Sequence, residues 1–106
     1  MVRIDVLGSF RAEIVLGGVV TDITPTSARE RAALAALALA APGALTVDAL
    51  ATELYDEDGV ADPRNAVQAT ISRIRKALGT ESHRLVTTPA GYCLVEPEVD
   101  VTAEAA

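Results

Sequence analysis

The 106-residue chain is long enough for one hydrophobic core but too short for two, and only three of its residues are aromatic. Its formal net charge is −6, and with one Cys and one His it excludes an internal disulfide and a metal centre built from several such ligands. No stretch approaches the roughly 18 apolar residues of a membrane span, and the N-terminus lacks a signal-peptide pattern, so we expect a cytoplasmic protein without membrane contact, metal or cofactor.

Three short strands are predicted at the N-terminus, because apolar and polar side chains alternate there with a period of two. The alternation runs through "VRIDV" and "FRAEIVL". A Gly17-Gly18 pair joins the second run to a third, "VVTDI", as in a β-hairpin. We therefore expect an N-terminal antiparallel sheet of about three strands.

Two helices follow, each with a recognisable start. Ser27 and Glu30 have the spacing of a capping box, in which the Ser hydroxyl accepts a backbone N–H bond and the Glu reaches back to the Ser N–H. The first helix is predicted to run from there to Pro42-Gly43, which ends it. Thr46 is the predicted N-cap of a shorter second helix.

A third helix is predicted in "PRNAVQATISRIRKALG", with Asp62 as its N-cap, Pro63 in its first turn and Gly79 at its end. The acidic segment "DEDGVAD" precedes it. The segment "HRLVTTPAGYCLV" follows it and predicts two short strands around a Pro-Ala-Gly turn.

The order of these elements is that of an α+β winged helix-turn-helix: an N-terminal antiparallel sheet, three helices and a C-terminal β-hairpin wing. Residues 1–97 form this domain in our interpretation. The remaining residues, 98–106, have no apolar period long enough to pack, so we expect a disordered tail or the beginning of a further domain.

The third helix is basic within an acidic chain. Residues 63–79 carry four of the nine basic side chains and no acidic one, so they sum to +4 while the rest of the chain sums to −10. An apolar stripe on this helix consists of Val67, Ile71, Ile74 and Leu78. The opposite face consists of Asn65, Gln68, Ala69, Ser72, Arg73 and Lys76, with Arg64 and Arg75 at the edge of the stripe.

Two interpretations fit this polar face. Arg can make two hydrogen bonds to guanine, Asn and Gln can make two to adenine, and a small Ala lets a helix approach a thymine methyl, so the face suits the major groove of DNA. The alternative is an ordinary solvated helix face whose Lys and Arg complement the helix dipole at its C-terminus. The pattern alone leaves both open.

The segments "SARERAALAALALAAPGALTVDALATELY", "PRNAVQATISRIRKALG" and "LVTTPAGYCL" together resemble the DNA-binding domain of the actinobacterial antibiotic-regulatory activator family, a relative of winged-helix response-regulator effector domains. The resemblance covers residues 2 to about 101. It implies that the third helix enters the major groove and that the hairpin wing reaches the minor groove or the backbone. It also implies that the loop before the third helix faces RNA polymerase.

The resemblance assigns roles by position. Arg73 with Ala69 is the expected base-reading pair, while Asn65 and Gln68 belong to the same DNA-facing surface. Phosphate or flanking contacts are expected from Arg64, Ser72, Arg75 and Lys76, and the wing is expected to approach DNA at Thr88. The expected polymerase contacts are Asp56, Glu57 and Asp58.

Three features depart from that family's pattern. Thr88 stands where an Arg is frequent, and Cys93 stands where another basic residue is frequent, so the wing has no charge. The family usually continues into a helical activation domain, about where this sequence stops. The loop before the third helix is strongly acidic, which would repel phosphates but suits a basic protein surface.

An enzyme is not expected, because the sequence has no Gly-rich phosphate loop, no nucleophile-base pair and no pair of carboxylates beside an apolar run. The open alternative is a winged helix that binds protein and not DNA, since a pI near 4.6 is unusual for a DNA-binding domain. We expect a transcriptional regulator, an activator on the resemblance, that is monomeric in solution and binds promoter direct repeats as tandem copies.

Overall fold

A computed structural model describes residues 1–6, 9–55, 62–95 and 97–100, the last three by their backbone alone. The chain forms β1 (Val2–Asp5), β2 (Arg11–Leu16), β3 (Val19–Asp22), α1 (Ala28–Ala40), α2 (Val47–Tyr55), α3 (Pro63–Leu78), a 3₁₀ turn (Gly79–Arg84), β4 (Leu85–Thr88), β5 (Gly91–Leu94) and β6 (Glu98–Asp100). The predicted α+β winged helix-turn-helix is therefore the observed architecture.

The N-terminal sheet has the strand order β3-β2-β1-β6. The first three strands are antiparallel, as predicted, with Val2 opposite Ile14 and Ile14 opposite Thr21. Val2 and Ile4 are fully buried together with Ala12, so one face of the sheet covers the core. This is the burial that the period of two predicts.

The fourth strand lies in the segment 98–106, for which the sequence predicts a disordered tail or the beginning of a further domain. The backbone of Glu98–Asp100 pairs in parallel with β1, with Val99 opposite Ile4. Without β6, β1 would be an edge strand with unpaired backbone groups on one side, and an extended segment can pair there because backbone pairing does not require an apolar period. Residues 101–106 lie outside the described part of the chain.

The predicted helix starts are confirmed. The Ser27 hydroxyl accepts the Glu30 N–H at 3.3 Å, and the Thr46 hydroxyl accepts the Ala49 N–H at 3.0 Å. The returning bond from Ser27 N–H to the Glu30 carboxylate is not among the hydrogen bonds of the described residues. Glu30 still stabilises α1 as an acid in its first turn, where the helix dipole favours negative charge.

The limits of α3 are also as predicted. The Asp62 carboxylate accepts the Asn65 N–H at 3.1 Å, and Pro63 occupies the first turn. Gly79 ends the helix with φ 57°, a left-handed conformation that glycine adopts without strain. The 3₁₀ turn that follows was not predicted. It contains Glu81, which is buried.

The wing, residues 85–94, is a two-stranded hairpin in which Leu85 pairs with Leu94 and Thr88 with Gly91. Its second strand also pairs with the loop before α2. Leu45 N–H donates to the Tyr92 carbonyl at 2.8 Å, and Tyr92 N–H donates to the Leu45 carbonyl at 2.9 Å. The wing is therefore joined to the start of α2 by backbone hydrogen bonds.

One core joins the sheet, the helices and the wing. Its fully buried members include Leu34, Leu37, Leu50, Val67, Leu78 and Leu94. Tyr55 is buried with its hydroxyl within 2.8 Å of the Thr70 hydroxyl, which ties α2 to α3. Within the described ranges no helix is long and apolar enough to cross a membrane, and no cluster of His, Cys, Asp and Glu is able to hold a metal ion.

Candidate DNA interface

The exposed face of α3 presents the residues that the sequence predicts for DNA binding. Exposed side chains there are Asn65, Gln68, Ser72, Arg73 and Lys76, and Ala69 is half-buried. The predicted apolar stripe faces the core, with Val67 and Leu78 at 0% exposure and Ile71 at 2%. The separation between the two faces holds over the whole helix, so its polar side is open along about four turns.

The charges on this face are uncompensated within the described part of the chain. Arg73 and Lys76 make no ion pair there. By contrast, Arg3 and Arg11 on the sheet both lie within 4 Å of the Glu13 carboxylate, at 3.3 and 3.8 Å. Two cations of α3 therefore remain available to an external anion.

Arg64 lies at the edge of the face, as predicted. Its Nη1 donates to the Asp48 carboxylate of α2 at 3.3 Å, and both side chains are exposed. At about 100° per residue, Gln68 and Arg75 lie on the same side of α3 as Arg64, while Arg73 and Ala69 lie further round the helix. The exposed face thus has one side next to the wing and another away from it.

The structure gives Arg75 an internal role that its assignment to phosphates did not include. Its Nε and Nη2 donate to the Leu85 carbonyl at 3.1 and 2.9 Å, and Nη2 also donates to the Thr87 hydroxyl at 2.7 Å. Its guanidinium lies 5.8 Å from the centre of the Tyr92 ring. Arg75 therefore connects α3 to both strands of the wing, and it is half-buried, unlike Arg73.

Thr88 also has an internal role. Its hydroxyl accepts the N–H groups of Ala90 and Gly91 at 3.2 and 3.0 Å and lies 3.2 Å from the Gly91 carbonyl. These bonds hold the turn of the wing closed. The hydroxyl is used by the protein itself, so the predicted DNA contact at Thr88 has no free hydrogen-bonding group in this conformation.

A groove of about 350 Å³ separates the start of α2 from the wing. Its lining consists of Thr46, Val47, Asp48, Arg64, Thr87, Thr88, Pro89, Ala90, Gly91 and Tyr92. We call it the α2–wing groove. Apart from Arg64 and Thr88, sequence reasoning did not assign these residues to the site, because they come from separate segments. The N-cap at Thr46 was the available signal, since it predicts that the N-terminus of a helix opens at this place.

A buried acid, Glu81, lies in the 3₁₀ turn between α3 and the wing. The Glu81 carboxylate accepts a hydrogen bond from Arg84 Nε at 2.6 Å and lies 3.4 Å from the N-terminal ammonium of Met1. The hydrogen bond from Arg84 is the largest cause that lowers the pKa of Glu81, and the ammonium lowers the pKa further. These contacts link the start of β1 to the turn between α3 and β4.

The predicted polymerase contacts, Asp56, Glu57 and Asp58, lie outside the described residues. The residues at either end of the segment 56–61 are described. Tyr55 ends α2 and Asp62 caps α3, so the segment connects the two helices of the helix-turn-helix.

Comparison with known proteins gives a family match and matches among solved structures. Residues 22–94 match the family described as "Transcriptional regulatory protein, C terminal". Among solved structures, Mycobacterium tuberculosis EmbR, in complex with a low affinity phosphopeptide, is similar with a TM-score of 0.73 and 27% sequence identity. That match covers 91% of this chain and 25% of the EmbR chain. No curated protein matches the sequence significantly.

Both matches agree with the family resemblance found in the sequence. The matched family region includes all three helices and the whole wing, and the EmbR match covers a larger share of the chain, 91%. This chain spans about a quarter of the length of EmbR, so the similarity concerns one domain of that protein.

Proposed function

The chain belongs to the transcriptional regulatory protein C-terminal family, a family of DNA-binding winged helices, and on that premise we propose that it reads promoter DNA with α3. This family is a regulatory one and not a class of enzymes. In the proposal, the exposed face of α3 enters the major groove. Arg73 and Ala69 read base edges, while Asn65, Gln68, Ser72 and Lys76 contact bases or flanking phosphates.

The observation that carries the proposal is the presence on α3 of two cations, Arg73 and Lys76, that make no ion pair with the described residues. Arg73 and Lys76 project from an exposed polar face that has no acidic residue between Pro63 and Leu78. The helix is about 24 Å long, and an α-helix with its side chains fits the major groove, which is about 12 Å wide. Screening limits the influence of distant acids to about 8 to 10 Å at physiological salt, so the net charge of −6 does not prevent binding.

We propose that the DNA backbone beside α3 binds in the α2–wing groove. The first N–H groups of α2 open at this groove, and helix N-termini favour phosphate. Arg64 lies at its edge. Arg75 and Thr87 hold the far wall in place through their hydrogen bond, so phosphate contact by Arg75 is secondary to its role in fixing the wing.

Selection of bound sequences from a random duplex pool, followed by Arg73→Ala, tests this proposal. The variant should lose about 1 to 3 kcal/mol of specific binding energy and relax preference at one or two base pairs, because a bidentate base contact is removed. Arg11→Ala is the matched control, since it removes the same charge from the exposed surface of β2. Equal binding by the parent and Arg73→Ala would contradict the placement of α3.

The competing function, a winged helix that binds protein, is favoured by one observation, the acidic pI of about 4.6. The same selection experiment distinguishes the two. A folded parent chain that enriches no duplex at low salt would favour the protein-binding function.

We further propose that the chain is a monomer in solution and occupies direct repeats as tandem copies. With about four phosphate contacts, one copy would show a log–log salt slope of only about −3.6 and would bind weakly. Two copies one helical turn apart lie on the same side of the duplex, where acidic surface on one copy can meet basic side chains at the end of α3 on its neighbour.

Duplexes with one half-site, two in phase and two out of phase by about five base pairs test this arrangement. The in-phase pair should bind with higher affinity per site than the other two. Equal affinity per site on all three duplexes would contradict tandem cooperation.

We also propose that Asp56, Glu57 and Asp58 contact RNA polymerase, so that the chain acts as an activator. The support is the acidity of this segment and its position in the sequence between α2 and α3. Replacing the three acids by Asn, Gln and Asn should lower transcription from a bound promoter and leave DNA affinity equal or slightly higher. Weaker DNA binding with an intact fold would contradict this role.

A further inference from the structure

The α2–wing groove contains a negative charge, Asp48, that opposes the proposed binding of phosphate. The charged residues in its described lining are Asp48 and Arg64, and they face each other at 3.3 Å. The exposed fractions of their side chains are 87% and 67%. The one cation in the described lining, Arg64, is thus already paired with a carboxylate.

The pair is not required to hold the fold together. Exposed ion pairs contribute little to stability, since water solvates the separated charges well. The helices α2 and α3 are joined instead by the buried Leu50 and Val67 in the common core and by the hydrogen bond between Tyr55 and Thr70. Asp48 does complement the dipole of α2 in its first turn, but an exposed acid elsewhere in that turn would do the same.

From this geometry we propose that Asp48 restrains DNA binding by pairing with Arg64. The proposal rests on the proposed function. A phosphate that enters the groove has to share Arg64 with the carboxylate or displace it. The carboxylate then stays within a few ångströms of the phosphate, well inside the screening distance of about 8 to 10 Å.

The restraint acts on DNA of any sequence, because phosphate contacts carry no base information. It lowers the affinity of one copy for a single half-site. Each copy on a paired site is weakened by the same factor, so Asp48 raises the protein concentration at which both single and paired half-sites are occupied.

Asp48→Asn tests the restraint, with Glu53→Gln as the matched control. Both substitutions remove one negative charge from an exposed side chain of α2. Glu53, however, lines a separate groove with Ser27, Arg29 and Leu54, away from the wing. Both variants should remain folded, which thermal unfolding verifies.

Asp48→Asn should bind a single half-site about fivefold more tightly at low salt, the effect of one nearby charge in water. Its log–log salt slope should become steeper by about 0.9, because one more phosphate is neutralised. The ratio of per-site affinities on in-phase and single half-sites should stay the same, because the restraint acts within each copy separately. A loss of dipole stabilisation alone would lower the unfolding temperature and leave the salt slope unchanged.

The same substitution in an Arg64→Gln background tests whether Asp48 acts by pairing with Arg64. There, Asp48→Asn should no longer steepen the slope. An unchanged slope in the parent background, or the same steepening in both backgrounds, would overturn the proposal. A folded parent that enriches no duplex at all is a different result, because it would overturn the proposed function.

Discussion

The exposed face of α3 and the wing lie side by side but use their polar groups in opposite ways. On α3, Arg73 and Lys76 extend from the surface without ion-pair partners in the described part of the chain. In the wing, the Thr88 hydroxyl is bonded to its own turn, and the Thr87 hydroxyl accepts a bond from Arg75. The cations of the helix face are free to contact an external ligand, whereas the hydroxyls of the wing stabilise the wing itself.

This difference indicates how binding energy divides between the two regions. Hydrogen-bonding groups that already have internal partners gain little from a ligand, because a new bond replaces an existing one. Uncompensated cations gain from every phosphate they neutralise. We therefore expect α3 to supply affinity and base preference, and the wing to supply the position of the DNA backbone.

The largest loss of stability should come from Gly91→Ala, which disrupts the wing without changing α3. Gly91 has φ 151°, and a Cβ there would run into the Leu45 carbonyl and lie 2.8 Å from Thr46 Cα. We expect a loss of about 3 kcal/mol or more in unfolding free energy, because the wing would separate from the start of α2.

Gly17→Ala controls for this substitution. Gly17 also has positive φ, 56°, but a Cβ there would meet no atom within 4 Å. It should cost only about 1 to 2 kcal/mol, the strain of the left-handed conformation. Chemical denaturation of both variants decides the point, and equal losses would show that the close contact with Leu45 is unimportant.

Arg75→Ala should break the connection between the two regions. It removes three hydrogen bonds to the wing, so we expect about 1 to 2 kcal/mol of lost stability, reduced from the full value because the side chain is half-buried. DNA affinity should fall as well, because the wing loses its position relative to α3.

Arg73→Ala sharpens the same comparison, since it removes an identical side chain two residues earlier in α3. Its stability should change by less than about 0.5 kcal/mol, as is usual for an exposed surface position. Thermal unfolding of the two variants measures the difference. If Arg73→Ala destabilised the domain as much as Arg75→Ala, the division into a binding face and a supporting contact would be wrong.

Thr88→Val tests whether the wing's turn is held by the hydroxyl. The substitution keeps the side-chain shape but removes the acceptor of the Ala90 and Gly91 N–H bonds, at a cost of about 1 kcal/mol. We expect specific DNA affinity to change less than in Arg73→Ala. A large loss of affinity with unchanged stability would restore Thr88 as a direct DNA contact.

The smallest effect concerns pH. The pKa of Glu81 is lowered below its ordinary value of 4.5, chiefly by the hydrogen bond from Arg84, so its contribution to stability is present above that value. The contribution should be lost as pH falls through the lower pKa of the folded state. Unfolding temperatures of the parent and Glu81→Gln should therefore converge in acid and differ most near neutral pH.

Local patterns predicted most of the architecture. Ser27, Thr46 and Asp62 were identified as helix caps because the cap, its first turn and its hydrogen bond lie within four residues of each other. The apolar stripe of α3 was identified for a similar reason, since its burial follows from a period of 3.6 residues. The outward direction of Arg73 and Lys76 then follows from the stripe.

Contacts between distant segments were decided only by the tertiary structure. Arg75 was expected to face phosphates, but the carbonyl of Leu85, ten residues away, lies beside it. The pairing of β6 with β1 joins segments more than 90 residues apart. The salt bridge between Asp48 and Arg64 exists because the packing of α2 on α3 brings two exposed side chains together. Sequence spacing describes which side of an element a residue occupies, whereas its partner depends on which other element the core places opposite.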